Sequence, residues 1–220
     1  MSELTLYTYF RSSAAYRVRI ALAYKQLPYS SSFVHLVKDG GQQHSEEYKK
    51  INAQELVPAL KINGADGPVL AQSMAILEYL EERYPKPPLL PADFLSRAEV
   101  RAFAQCFVAD IHPLNNLRVT QYLENKLSIN QQEKAEWYRH WITTGFAAIE
   151  QRLRENKQGR YCFGNNISMA DVCLIPQVYN AIRFSIVLDS YPEITKIYLN
   201  CMELDAFSQA APEQQEDCDL

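Results

Sequence analysis

Four of the chain's eleven prolines crowd into the stretch Pro85-Lys86-Pro87-Pro88-Leu89-Leu90-Pro91, and no other feature of the sequence limits the fold as much. Proline fixes φ and removes a backbone donor, so this stretch excludes regular helix and forms a stiff, extended connection. The patterns on its two sides differ in kind. Before it, from Leu4 to Tyr84, segments of strand and helix character alternate. Leu4 to Tyr9 reads as a strand, Ser13 to Lys25 as a helix ended by Leu27-Pro28, and Tyr29 to Leu36 again as a strand. The polar turn Lys38-Asp39-Gly40-Gly41-Gln42-Gln43 precedes a short helix near Ser45 to Ile51. Pro58-Ala59-Leu60-Lys61-Ile62 and Val69-Leu70-Ala71, joined by Asn63-Gly64-Ala65-Asp66-Gly67, form a hairpin pattern, after which Ser73 is expected to cap a helix running to about Tyr84. The order is β-α-β-α-β-β-α, a small α/β sandwich.

Beyond the prolines the period is helical, with helices expected near Ser96 to Leu127, Gln131 to Asn156, Ser168 to Phe184 and Ile194 to Phe207. Pro113 should interrupt the first of these, leaving His112, Asn116 and Arg118 at an irregularity from which polar side chains could turn towards the other domain. Ser168-Met169-Ala170-Asp171 has the form of a capping box, with Asp in place of the usual Glu. The division is therefore an α/β domain over residues 1–84, a linker over 85–95, an all-helical domain over 96–210, and an acidic, amide-rich tail over 211–220 expected to be frayed.

A net charge of −4 opposes nucleic acid, and no apolar run approaches the roughly 20 residues that cross a bilayer. With no apolar signal core at the N-terminus, the expected compartment is the cytoplasm and the expected partners are small molecules. The five cysteines are scattered, with no C-x-x-C pair, and the four histidines show no metal-ligand spacing, so neither a disulfide framework nor a metal site is expected.

One stretch has chemical character. In Thr8-Tyr9-Phe10-Arg11-Ser12-Ser13, a strand runs into two hydroxyls and then into the apolar positions Ala14, Ala15, Val18, Ala21 and Leu22. Ser12 or Ser13 makes a good N-cap, where unpaired N–H groups and the positive end of the helix dipole suit an anion. The alternative is a simple helix cap, with Arg17 and Arg19 on a solvated face.

The sequence resembles the zeta class of the soluble glutathione transferases. The resemblance rests on six stretches in order: Tyr9-Phe10-Arg11-Ser12-Ser13 with Arg17-Val18-Arg19-Ile20-Ala21-Leu22, Lys38 to Gln43, Val57-Pro58, Gln72-Ser73, Ile111-His112-Pro113-Leu114-Asn115-Asn116-Leu117, and Ser168 to Asp171. It implies a thioredoxin-like N-terminal domain, an all-helical second domain and a homodimer. One departure stands out: the class usually carries Ser-Ser-Cys, whereas this chain has Ser12-Ser13-Ala14, with Tyr16 where tryptophan is common. Without a thiol in the motif, the sulfur chemistry shifts to glutathione itself, and thiol-disulfide exchange is disfavoured.

By resemblance, glutathione is the cofactor and Ser13 the catalytic serine, assisted by Ser12 and Arg17. Val57, before a proline that the class holds in cis, would pair its backbone with the cysteinyl unit. Gln72 and Ser73 would take the γ-glutamyl carboxylate, and Gln43 the glycyl end, with His112 and Asn116 adding contacts from the helical domain. For a dicarboxylate substrate, Arg183, Arg118 and Asn116 are the candidates; the alternative for Arg183 is an ion pair within its own domain. The implied reaction is isomerisation of maleylacetoacetate to fumarylacetoacetate in tyrosine and phenylalanine degradation. Maleylpyruvate isomerisation and glutathione transfer to small α-halo acids are rivals, as is a non-catalytic protein that only binds a ligand or partner.

Overall fold

The computed structural model describes residues 3–64, 66–155 and 159–219. It divides into two compact units: the described residues up to Pro88 together with those from Glu203 onward, and Leu89–Met202.

The first unit is built on a four-stranded mixed sheet of order β2-β1-β3-β4, with β1 Leu4–Thr8, β2 Ser30–Phe33, β3 Ala59–Ile62 and β4 Val69–Ala71. β2 runs parallel to β1, whereas β3 pairs antiparallel with both β1 and β4. Helices α1 (Ser13–Tyr24), α2 (Glu46–Ile51) and α3 (Ser73–Arg83) complete the expected β-α-β-α-β-β-α order. β2 is shorter than its pattern suggested, because as an edge strand it pairs only where it faces β1, from Thr5↔Ser30 to Thr8↔Phe33. In the β3–β4 turn, Ala65 lies outside the described residues.

Helix α1 is buried almost all round, from Ala15 to Leu22 without a break, including Arg17 and Arg19 at 1% exposure each. The alternative of a solvated arginine face does not hold, because α1 packs against α3 and also against α9 (Asp205–Ser208), a short helix that returns to this unit. The frayed tail is corrected as well. The Phe10 N–H donates to Asp217 Oδ2 at 3.0 Å, and Asp219 lies 3.3 Å from both His35 Nε2 and Lys38 Nζ. Asp217 and Asp219 thus have backbone and cationic partners that anchor it; Leu220 lies outside the described residues.

The second unit is helical: α4 Phe94–Gln105, α5 Leu117–Leu127, α6 Gln131–Glu155, α7 Met169–Arg183 and α8 Pro192–Met202. Asp93 starts α4 by accepting from the Ser96 N–H at 2.9 Å. The interruption expected at Pro113 begins earlier, as a π-helical turn over Cys106–Ile111 closed by His112 N–H to Phe107 O, five residues back. The expected end of the next helix, Asn156, lies outside the described residues. The final helical stretch ends at Met202 and resumes as α9, so it is two pieces. Ser168 and Asp171 form the expected capping box, with Asp171 also accepting from the Cys162 N–H at 2.8 Å. Burial pushes the Asp171 carboxyl up, against the pull of these donors. Among the described residues, no helix is long and apolar enough to cross a membrane.

Candidate active site

The sheet register gathers the candidate residues of the first unit at one end. Tyr7 pairs with Ala59 and Ala59 with Ala71, so the exit of β1, the entry to β3 and the exit of β4 are neighbours. Ser12-Ser13 follow the first, Val57-Pro58 precede the second, and Gln72-Ser73 follow the third. Thr8 pairs with Phe33, which brings the exit of β2, leading to Gln43, to the same end.

Ser12 is the N-cap of α1: its side chain accepts from the Ala15 N–H at 3.2 Å. Ser13 is the first helical residue and is 6% exposed. No acidic residue stands in the first turn of α1, so its positive end is left uncompensated by its own side chains. One turn on, the buried Arg17 donates from Nη1 to Ser73 Oγ at 3.1 Å, tying α1 to the start of α3. The helix start and two buried guanidinium groups make this an electropositive corner suited to an anion.

Val57-Pro58 is a cis peptide, as the resemblance implied. Gln72, not Ser73, is the N-cap residue of α3, and it adopts φ 69, ψ 115. A positive φ at a non-glycine residue costs on the order of 1–3 kcal/mol and persists where the surroundings impose it. Gln72 Nε2 donates to Gln54 Oε1 at 2.7 Å, and Ser73 is buried as the acceptor for Arg17. Gln43 is buried beneath its own loop, where Nε2 donates to Leu36 O at 3.2 Å while Oε1 has no hydrogen-bond partner. That packing requires Gly41: at φ +99, a Cβ there would stand 2.5 Å from Gln43 Nε2. Tyr9, Phe10, Val34, Tyr48 and Val57 form one apolar cluster below these loops, with Cys218 against it.

The remaining candidates belong to the helical unit. Asn116 caps α5, its side-chain oxygen accepting from the Arg118 N–H at 3.1 Å. His112 ends the π-helical turn, and Arg118 is exposed on the first turn of α5. Arg183 is the exposed last residue of α7, with its guanidinium 5.1 Å from the Phe184 ring centroid; among the described residues it makes no ion pair. Phe184 stacks on Tyr138 at 3.6 Å, and burial pushes the Tyr138 hydroxyl up to about 12, with Arg183 pulling it down.

Sequence reasoning missed Arg19, Asn115 and Asp217. Arg19 grips the strand-to-helix turn, Asn115 donates to Tyr138 O at 3.3 Å, and Asp217 accepts from Phe10. The usable signal was charge balance: the last eight residues carry four acids, and α1 carries two arginines among apolar neighbours.

Two family models match the chain, "Glutathione S-transferase, N-terminal domain" over residues 11–83 and "Glutathione S-transferase, C-terminal domain" over residues 114–208. The chain is 52% identical over 218 residues to a probable maleylacetoacetate isomerase of Vibrio cholerae, covering 99% of each. It is similar to a holo structure of a maleyl pyruvate isomerase, described as a bacterial zeta-class glutathione transferase, with TM-score 0.92 and 43% identity over 97% of this chain and 99% of the other. A maleylacetoacetate isomerase of Methylobacterium extorquens with bound malonate and glutathione is 38% identical, with TM-score 0.92 over 98% of this chain and all (100%) of that one.

Proposed function

The chain belongs to the glutathione S-transferase family, and within it we propose that it is a zeta-class enzyme catalysing glutathione-dependent isomerisation of maleylacetoacetate to fumarylacetoacetate. The observation that carries the reading is the convergence at one sheet end of Ser12-Ser13, Val57-Pro58 and Gln72-Ser73, bridged by Arg17 and Ser73. The buried Gln43 Oε1 and the uncompensated start of α1 are polar groups that a charged tripeptide can satisfy.

Glutathione, when bound, supplies a sulfur nucleophile that adds to the conjugated cis double bond and leaves after the bond has turned. A free thiol has a pKa of about 8.5, so the protein's task is to favour the thiolate. In this reading the Ser13 hydroxyl donates to the sulfur, the helix start and Arg17 add positive potential, and Ser12 holds the helix cap. Val57 offers its backbone to the cysteinyl unit, Gln72 and Ser73 hold the γ-glutamyl end, and Gln43 serves the glycyl end, with His112 and Asn116 as further contacts. Arg183 and Arg118, with Asn116, are the groups for the substrate's carboxylates, which guanidinium can hold bidentately. Residues 1–84 are then the glutathione-binding part, and the resemblance further supports a cytoplasmic homodimer serving tyrosine and phenylalanine breakdown.

The test is direct: purified protein with glutathione and maleylacetoacetate should isomerise far faster than glutathione alone, and equal rates would sink the reading. Maleylpyruvate is the rival substrate, favoured by the likeness to the maleyl pyruvate isomerase structure. Competition between the two substrates at matched concentrations ranks them.

A further inference from the structure

We propose that Arg19 and Asp217 are positioning residues for the glutathione-activating serines, holding the Tyr9–Ser12 turn from its two sides. This rests on the serine reading above. The turn closes through Ser12 N–H to Tyr9 O at 3.0 Å and delivers Ser12 and Ser13 to the start of α1. Arg19, buried on α1, reaches back beneath it. Nη1 donates to Thr8 Oγ1 at 3.2 Å and to Tyr9 O at 3.3 Å, and Nη2 donates to Phe10 O at 3.0 Å.

The guanidinium also binds the returning chain, with Nε donating to Ala210 O at 3.0 Å. From that chain, Asp217 Oδ2 accepts the Phe10 N–H at 3.0 Å. Both polar groups of the Phe10 backbone are thus held, the carbonyl from inside the unit and the N–H from the C-terminal segment. Tyr16 adds a third tie, its hydroxyl donating to Phe207 O at 3.1 Å.

A buried cation is an expensive way to stabilise a fold, and apolar residues of similar size often do as well or better. What the guanidinium supplies is geometry: a planar fork of donors that fixes several acceptors at once, which a lysine cannot reproduce. A misplacement of about 1 Å at a reacting group costs on the order of a hundredfold in rate. Rigid support of the turn two residues before Ser12 is therefore worth a buried charge. The C-terminal segment becomes part of the site although it contributes no group to the chemistry.

The test compares Asp217→Ala with Asp217→Asn, two changes at a partly exposed residue of the C-terminal segment. The titration of bound glutathione's thiol is followed by the ultraviolet absorbance of the thiolate, alongside calorimetric glutathione affinity and kcat. Loss of the Phe10 contact in Asp217→Ala should move the thiol titration to higher pH and lower kcat by about fivefold, the equivalent of roughly one hydrogen bond. Asp217→Asn, whose amide oxygen still accepts from Phe10, should recover most of that loss.

A purely Coulombic effect has the opposite sign, since removing a carboxylate favours a nearby thiolate. A downward shift in Asp217→Ala, or none, overturns the proposal. Arg19→Lys, if it folds, should show the same upward shift, and a titration matching the unmodified protein would likewise overturn it. If the unmodified protein binds glutathione with a thiol titrating as in free solution, the serine reading itself falls. If its thiol is depressed and Asp217→Ala follows it, only the positioning role falls.

Discussion

At the scale of single residues, Ser12 and Ser13 are adjacent but do different work. Ser12 spends its oxygen on the Ala15 N–H as the cap of α1. Ser13, the first helical residue, is nearly buried at the electropositive corner. Ser13→Ala should therefore lower kcat on the order of a hundredfold, as removal of one charge-stabilising donor does, with only a modest change in glutathione affinity. Ser12→Ala should instead cost about 1 kcal/mol of stability, read from the denaturation midpoint. Unchanged turnover in Ser13→Ala would remove that serine from catalysis. The pair Ser12-Ser13 was legible from its place between strand and helix; which serine caps was not, because a serine suits both positions.

At the scale of elements, the proline stretch is anchored as well as stiff. Lys25, the C-cap of α1, is buried and donates from Nζ to Glu81 Oε2 at 2.8 Å, to Tyr84 O at 2.7 Å and to Pro87 O at 2.8 Å. One ammonium group thus joins the end of α1, the last turn of α3 and the connection beyond it. Lys25→Met should destabilise by about 3–5 kcal/mol, because it removes the cation that faces the buried Glu81 carboxylate. Adding Glu81→Leu should restore much of that, and a double variant as weak as the single one would contradict the account. Thermal melting of the three proteins decides it. The existence of α1 and α3 followed from apolar periodicity and the breaks at Pro28 and Pro85. The salt bridge between them did not, since a lysine and a glutamate 56 positions apart carry no mark of mutual burial.

At the scale of the molecule, the C-terminal segment is held on the first unit partly by charge. Asp219 lies against His35 and Lys38, with Arg11 at 3.9 Å, and its bonds to His35 and Lys38 hold its carboxyl below the usual range. A carboxyl depressed in the folded state adds stability that is complete above its unfolded pKa of about 3.9 and is lost as pH falls through the lower folded value. Acidification should therefore loosen this segment first. Cys218, half-buried beside Asp219, should become faster to label with a dithiodipyridine, which reacts in acid, as pH drops below about 4. The buried Cys162, Cys173 and Cys201 should stay protected and serve as the internal control against global unfolding. Simultaneous exposure of all the thiols would mean that the segment has no separate release.

Much of the architecture follows from local chemistry. Alternating strand and helix periods, a cluster of prolines that neither element tolerates, and hydroxyls at strand ends are enough to specify a β-α-β-α-β-β-α unit followed by helices. They also bring Ser12-Ser13, Val57-Pro58 and Gln72-Ser73 into view as junctions. Tertiary packing alone decided which polar groups turn inward. Arg19 meets Ala210 across 191 positions of sequence, and no period or cap in α1 announces that partner. The positive φ of Gln72, the burial of Gln43 and the anchoring of Asp217 and Asp219 arise in the same way. A charged side chain stays in water unless the fold supplies its partners, and those come from segments that meet only once the chain has closed.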